Sequence, residues 1–319
     1  MDTVIATKGL TRSFGDNLAV DHLDLTVERG EVFGFLGPNG AGKTTTVRLL
    51  NALLKPSEGS AQVLGLDITT QGEEIRRQTG VLTETPSVYE ALTARENLLF
   101  FGDLYGVPED ELPGRVNDLL EELGLGDRAD DRVGTYSKGM RQRLVISRAL
   151  LHRPALVFLD EPTAGLDPAA ARMVNEMIQN LSHTEGRTVF LCTHNLAEAQ
   201  RLCDRVAVID RGALRAVGTP EQLARELWLG SSVEIDLRGE PPAEVLQALD
   251  RLPVASLREV RNGRLVVELD DEKNIPDVVT AIVIAGGRIH AVMPQQHTLE
   301  DIYFRIQGEE PVDEMRGDA

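Results

Sequence analysis

Gly37-Pro38-Asn39-Gly40-Ala41-Gly42-Lys43-Thr44-Thr45, directly after the apolar run Val32-Phe33-Gly34-Phe35-Leu36, is the stretch that decides how this sequence folds. The run is short and continuous, the pattern of a strand buried on both faces. The residues after it fit G-x-x-x-x-G-K-[ST] and lead into a helical segment. Glycines are needed there because the chain must curl until successive backbone N–H groups point inward at phosphate oxygens. The dipole of the following helix adds positive potential. Gly37, Asn39, Gly40, Ala41, Gly42 and Thr45 are expected to form the cradle. Lys43 is expected to reach the β- and γ-phosphates of a nucleotide, and Thr44 to ligate Mg²⁺.

Further along, Leu156-Val157-Phe158-Leu159-Asp160-Glu161 reads as a second buried strand that ends in two acids. Adjacent carboxylates repel each other, and a metal ion resolves that cost. Asp160 suits the position that holds Mg²⁺, directly or through water, and Glu161 the position that polarises a water attacking the γ-phosphate. A third buried strand, Thr188-Val189-Phe190-Leu191, leads into Cys192-Thr193-His194-Asn195. Strand-like and helix-like segments alternate to about residue 218, which predicts an α/β domain with a largely parallel sheet. Helix starts are readable: Thr93-Ala94-Arg95-Glu96 fits a capping box for a helix through Leu104, and Asp167-Pro168 an N-cap before an N1 proline. Ser137 is a good N-cap for a helix running to Leu151.

Between the phosphate loop and the acidic pair lies Tyr136-Ser137-Lys138-Gly139-Met140-Arg141-Gln142-Arg143. With it the chain resembles an ABC-type ATPase, a branch of the P-loop NTPases. The family signature is Leu-Ser-Gly-Gly-Gln before a helix rich in Arg and Gln. Here Ser137 and Gly139 keep it, while Tyr136, Lys138 and Met140 depart from it in a way that resembles exporter subunits. The resemblance implies further roles. Phe14 stands where the family stacks an aromatic on adenine, and Glu84 where it usually has a glutamine that senses Mg²⁺ and water. Asp167 of Gly165-Leu166-Asp167 matches the loop that communicates across a dimer, and His194 the histidine that touches the γ-phosphate. A guanine-specific N-K-x-D is absent, which favours ATP over GTP.

In this family each ATP lies between the phosphate loop of one cassette and the signature of another. One of each in a single chain therefore implies a homodimer, with Ser137 and Gly139 completing the neighbour's site. The resemblance to exporter ATPases of the drug-resistance type also implies separate integral-membrane permease subunits. They would dock on a surface from Glu84 to Tyr105 that includes Leu98 and Phe101. The expected location is the cytoplasm, peripheral at the inner face of the cell membrane. The alternative is a soluble ABC-type ATPase that works on ribosomes or DNA.

Composition bounds these readings. The 319 residues suffice for about two domains. No apolar run approaches the roughly 18 residues of a spanning helix, and the first residues lack the basic, then apolar, pattern of a secretory signal. A net charge of −18 disfavours nucleic acid as a partner. Residues 221–319 hold 20 acids and 10 bases, so the C-terminal third is a separate compositional unit whose acidity disfavours anionic lipid. Cys192 and Cys203 lack a C-x-x-C spacing and are expected in the core.

The predicted organisation is an ATP-binding domain over 1–218, a helix and linker over 219–230, an accessory α+β domain of ferredoxin-like type over 231–307, and an acidic tail over 308–319. Within the accessory domain the expected strands are Val233 to Leu237, Arg264 to Leu269 and Ile289 to Met293. The expected helices are Ala243 to Leu249, Pro276 to Ala285 and one from Leu299. Thr298-Leu299-Glu300-Asp301-Ile302-Tyr303 resembles the extension of the same exporter ATPases.

Overall fold

The computed structural model describes residues 2–82, 88–227, 231–261, 263–295 and 298–307. The chain divides into two compact units, Met1–Thr219 and Pro220–Ala319.

The first unit opens with strands β1 (Thr3–Phe14), β2 (Asn17–Leu23), β3 (Thr26–Glu28) and β4 (Val32–Leu36). Helix α1 (Lys43–Leu50), strands β5 (Glu58–Val63) and β6 (Leu66–Asp67), helix α2 (Gly72–Gln78) and strand β7 (Thr79–Leu82) follow. Three helices come next: α3 (Ala94–Leu104), α4 (Leu112–Glu122) and α5 (Lys138–Leu150). The unit closes with β8 (Leu156–Asp160), α6 (Pro168–Gln179), β9 (Thr188–Thr193), α7 (Leu196–Leu202), β10 (Arg205–Asp210) and β11 (Ala213–Gly218).

The strands β7, β8, β9, β4 and β10 lie side by side in that order and are parallel throughout. Every residue of β4, β8 and β9 is buried, which is why their sequences are continuous apolar runs rather than alternating ones. Phe190 sits between Phe33, Phe35 and Phe158, with ring centroids 5.7, 5.2 and 5.4 Å away. Cys192 and Cys203 are free and buried, as expected. Cys203 fills the space over Gly34, where an added Cβ would lie 2.8 Å from its sulfur.

The alternating pattern does not describe the segments on either side of β4 and α1, Thr3–Glu28 and Glu58–Asp67. There β6, β5, β1 and β2 form an antiparallel layer, with β3 also on β1, joined to the parallel strands through β11 beside β2. These strands are interrupted by bulges and carry many polar residues, so their periodicity is weak.

Helix starts follow the sequence. Thr93 and Glu96 form the capping box of α3, and Ser137 and Asp167 cap α5 and α6. Leu98 is fully buried, so it does not belong to a docking surface. No helix among the described residues is long and apolar enough to cross a membrane.

The second unit contains α8 (Pro220–Leu227), β12 (Ser231–Asp236), α9 (Ala243–Asp250), β13 (Ala255–Arg261), β14 (Arg264–Leu269), α10 (Ile275–Ile284), β15 (Ala291–Gln295) and α11 (Leu299–Gln307). Its sheet is antiparallel in the order β13-β14-β12-β15, and the βαββαβ succession gives the ferredoxin-like topology. Val233, Ile235, Leu265 and Val267 pack with Val245, Leu249, Val278 and Ile282 to form its core. Strand β13 is absent from the sequence reading. Its Ala-Ser-Leu-Arg-Glu-Val-Arg is half polar, and a register shift between Leu257 and Glu259 breaks its alternation. Trp228, Gly230 and the 308–319 segment lie outside the described residues.

Candidate nucleotide site

Three loops meet because the strands that feed them are neighbours. With β9 between β4 and β8, all parallel, their C-terminal ends open on one edge of the sheet. Crevices at such edges are where open α/β sheets bind ligands.

Leaving β4, the chain passes so close to β10 that a Cβ on Gly37 would lie 2.3 Å from the Ile209 carbonyl oxygen. Gly42, at φ 107°, is the N-cap of α1 and has no room for a side chain either, since its Cβ would lie 2.3 Å from the Ala19 carbonyl oxygen. The Gly212 N–H donates to the Ala41 carbonyl at 2.9 Å, and the Gly212 carbonyl accepts from Asp21 at 2.9 Å, which ties the loop to β2. The first turn of α1 contains no acid, so its N–H groups and positive dipole end are left for an anion. Lys43 is buried and folded over the loop, donating to the carbonyls of Gly37 at 2.6 Å and Pro38 at 3.2 Å. The Thr44 hydroxyl donates to Asp160 Oδ2 at 3.0 Å, so the two residues expected around Mg²⁺ are in contact.

Asp160 is the last residue of β8 and only 3% exposed. Glu161 extends the ladder by one bond, its N–H donating to the Cys192 carbonyl at 2.9 Å, and then turns at φ 50°. That left-handed value is uncommon for a residue with a side chain, and such conformations cluster at functional sites. The turn gives Glu161 three donors. Its Oε1 accepts from the His194 N–H at 3.0 Å and lies 2.7 Å from His194 Nδ1, while Thr193 Oγ1 donates to Oε2 at 3.3 Å. Facing a carboxylate, Nδ1 carries the proton. The Glu161 side chain is 16% exposed and that of His194 63%. Burial pushes the Cys192 thiol well above its usual range, so it stays protonated beside these acids.

Ser137 is exposed and accepts the Met140 N–H at 3.2 Å on Oγ. The start of α5 packs on the loop after Glu161: a Cβ on Gly139 would lie 3.2 Å from Leu166, and one on Gly165 would lie 3.0 Å from Lys138 Nζ. Tyr136, the residue in place of the usual leucine, is buried, and its hydroxyl donates to the Arg128 carbonyl at 2.5 Å. Asp167 accepts from the N–H groups of Ala170 at 2.9 Å and Ala169 at 3.0 Å, and the first of these bonds holds its carboxyl below the usual range. Phe14, at the end of β1, is 45% exposed, with the Arg12 guanidinium 4.5 Å from its ring centroid. Glu84 lies outside the described residues.

Sequence reasoning missed two residues of this site. Thr193 orients Glu161 and accepts the Asn195 N–H at 3.0 Å. Gln142, buried in the second turn of α5, reaches the carbonyls of Glu161 and Pro162. Polar residues within otherwise buried elements were the available signal for both.

Residues 20–164 match the family model described as ABC transporter. The chain is 38% identical to the daunorubicin/doxorubicin resistance ATP-binding protein DrrA of Streptomyces peucetius, over 95% of this chain and 92% of that one. It is 36% identical to the Nod factor export ATP-binding protein I of Rhizobium sp. (strain N33), over 95% of this chain and 96% of that one. A solved ATP-binding subunit of an ABC transporter superposes with a TM-score of 0.66 at 34% identity, covering 70% of this chain and 93% of that one. The chain therefore belongs to the ABC transporter ATP-binding proteins, the ATPase subunits that bind and hydrolyse ATP and work with membrane permease components.

Proposed function

We propose that this subunit powers an exporter, working as a homodimer on separate permease subunits at the inner face of the cell membrane. The observation that carries the catalytic part is the convergence of Thr44 on Asp160, and of Thr193 and His194 on Glu161, at the ends of β4, β8 and β9. Relatives named for drug resistance and for export support the direction of transport.

In this reading Phe14 stacks on adenine, and the loop from Gly37 to Thr45 wraps the phosphates. Lys43 exchanges its two carbonyl partners for phosphate oxygens. The Thr44 hydroxyl and the Asp160 carboxylate are hard oxygen donors already in contact, a set that fits Mg²⁺. Mg²⁺, when bound, offsets the charge on the phosphate oxygens. Glu161 accepts a proton from the attacking water, and its three donors fix which way its carboxylate points. His194 holds Glu161 through Nδ1 and has a 63% exposed side chain to offer to the γ-phosphate.

Ser137 and Gly139 serve the partner copy's nucleotide, consistent with the exposure of the capped start of α5. Asp167 caps α6 and stands at the same interface. For permease docking, the surface of α3 offers Phe100 at 47% exposure and Leu104 at 66%, next to Tyr89 and Tyr105. Phe101 supports it from below, stacked on Tyr89 at 5.8 Å with Arg148 over its ring at 4.8 Å.

The experiment is Glu161→Gln. It is expected to retain ATP binding, to lose nearly all turnover and to form an ATP-dependent dimer by size-exclusion chromatography with light scattering. Native turnover in that variant would refute the role of Glu161, and a monomer with saturating Mg-ATP would refute the composite site.

A further inference from the structure

The amide of Gln142 links the start of α5 to the backbone of the residue that does the chemistry. Its Nε2 lies 3.4 Å from the Pro162 carbonyl oxygen and 3.5 Å from that of Glu161, and the residue is 7% exposed. A primary amide has two N–H groups, so one side chain can serve both acceptors. Two facts make these long bonds consequential. Glu161 sits at φ 50°, a conformation held only when its surroundings over-determine it. Further, α5 meets the same loop at three residues of its first two turns, with Lys138 against Gly165, Gly139 against Leu166, and Gln142 at Glu161 and Pro162.

We infer that Gln142 is a positioning residue for Glu161: it fixes the left-handed turn and so sets the angle at which the carboxylate meets water. This deepens the catalytic reading above and rests on it. The geometry also gives α5 a second task. Ser137 at its tip is proposed to bind the partner copy's nucleotide, and Gln142 lies five residues further on. A shift of the helix tip on nucleotide binding reaches the Glu161 backbone through one buried side chain. Each copy's catalytic group is then set by the partner copy's ATP.

The test is Gln142→Met, which keeps volume and removes both donors, with Gln142→Glu as a second variant of the same shape that offers only acceptors. Both are made in the full chain, and melting temperatures confirm folding. The expected result is a kcat lower by about 10- to 100-fold, the effect of misplacing a reacting group by about 1 Å, with KM for ATP unchanged. Combined with Glu161→Gln, neither substitution is expected to lower single-turnover hydrolysis further, since Gln142 acts only through Glu161. A kcat within two-fold of native, or a full additive loss in the Glu161→Gln background, would overturn the inference. If Glu161→Gln itself hydrolyses ATP at the native rate, the catalytic reading of Glu161 fails instead.

Discussion

Two glycines of the phosphate loop, two residues apart, should respond very differently to the same methyl group. Gly40 has φ 82° and nothing within 4 Å of an added Cβ, so Gly40→Ala meets only backbone strain. That strain is about 1–2 kcal/mol, or a factor of about 5 to 30, felt in nucleotide affinity as the loop relaxes out of its cradle shape. Gly42 has φ 107°, and its Cβ would lie 2.3 Å from the Ala19 carbonyl oxygen, where ordinary contact begins at 3.4 Å. Gly42→Ala must therefore move the loop or β2 by about 1 Å, and a displacement of that size costs about 100-fold where groups must be placed for a ligand. Strand β2 cannot yield easily, because Asp21 is bonded to Gly212 and Gly212 to the loop itself. Titration with a fluorescent ATP analogue measures both variants, and circular dichroism melts confirm that they fold. Gly42→Ala binding as tightly as native, or more tightly than Gly40→Ala, would refute the reasoning.

Other consequences can be read as directly. Ser137→Arg is expected to leave ATP binding by the single chain unchanged while abolishing turnover, since its proposed role is in the neighbouring copy's site; unaltered turnover would count against that proposal. Phe100→Asp with Leu104→Asp should abolish co-purification of the permease with no change in nucleotide affinity, and intact docking would remove α3 as the surface. Both cysteines are buried with thiols pushed up by burial, so neither should react with a thiol reagent at pH 8 until the protein unfolds. Since raised thiol values keep the neutral form, the thiolate should appear only at higher pH; fast labelling of the native protein would contradict the packing around Gly34 and Asp160.

The parts of the site that lie on buried parallel strands were legible because three constraints coincide there. A continuous apolar run, a glycine-rich turn or acidic end, and a helix start have few joint explanations. Thus Lys43, Thr44, Asp160, Glu161 and His194 fall at the ends of three adjacent strands. The antiparallel layer of β1, β2, β5 and β6 was not legible, because bulges and polar faces blur a period of two. Strand β13 escaped for the same reason, although Asn262-Gly263 after it is a hairpin signal. Leu98 was misplaced because spacing alone does not say which side of α3 faces the protein: Leu98 is fully buried, while Phe100 and Leu104 emerge. For Gln142 the sequence offers only a polar residue in a largely buried helix; its partners lie 19 and 20 residues away, and only the fold shows what it touches.

The proposed role requires that this ATPase drive a membrane partner. The most direct measurement is purification of tagged Glu161→Gln with Mg-ATP from detergent-solubilised membranes of the native host, with identification and stoichiometry of what accompanies it. The expected result is a multi-span permease subunit in fixed ratio to a dimer of this chain. Recovery of ribosomal or DNA-associated proteins alone, or of no partner, would contradict it.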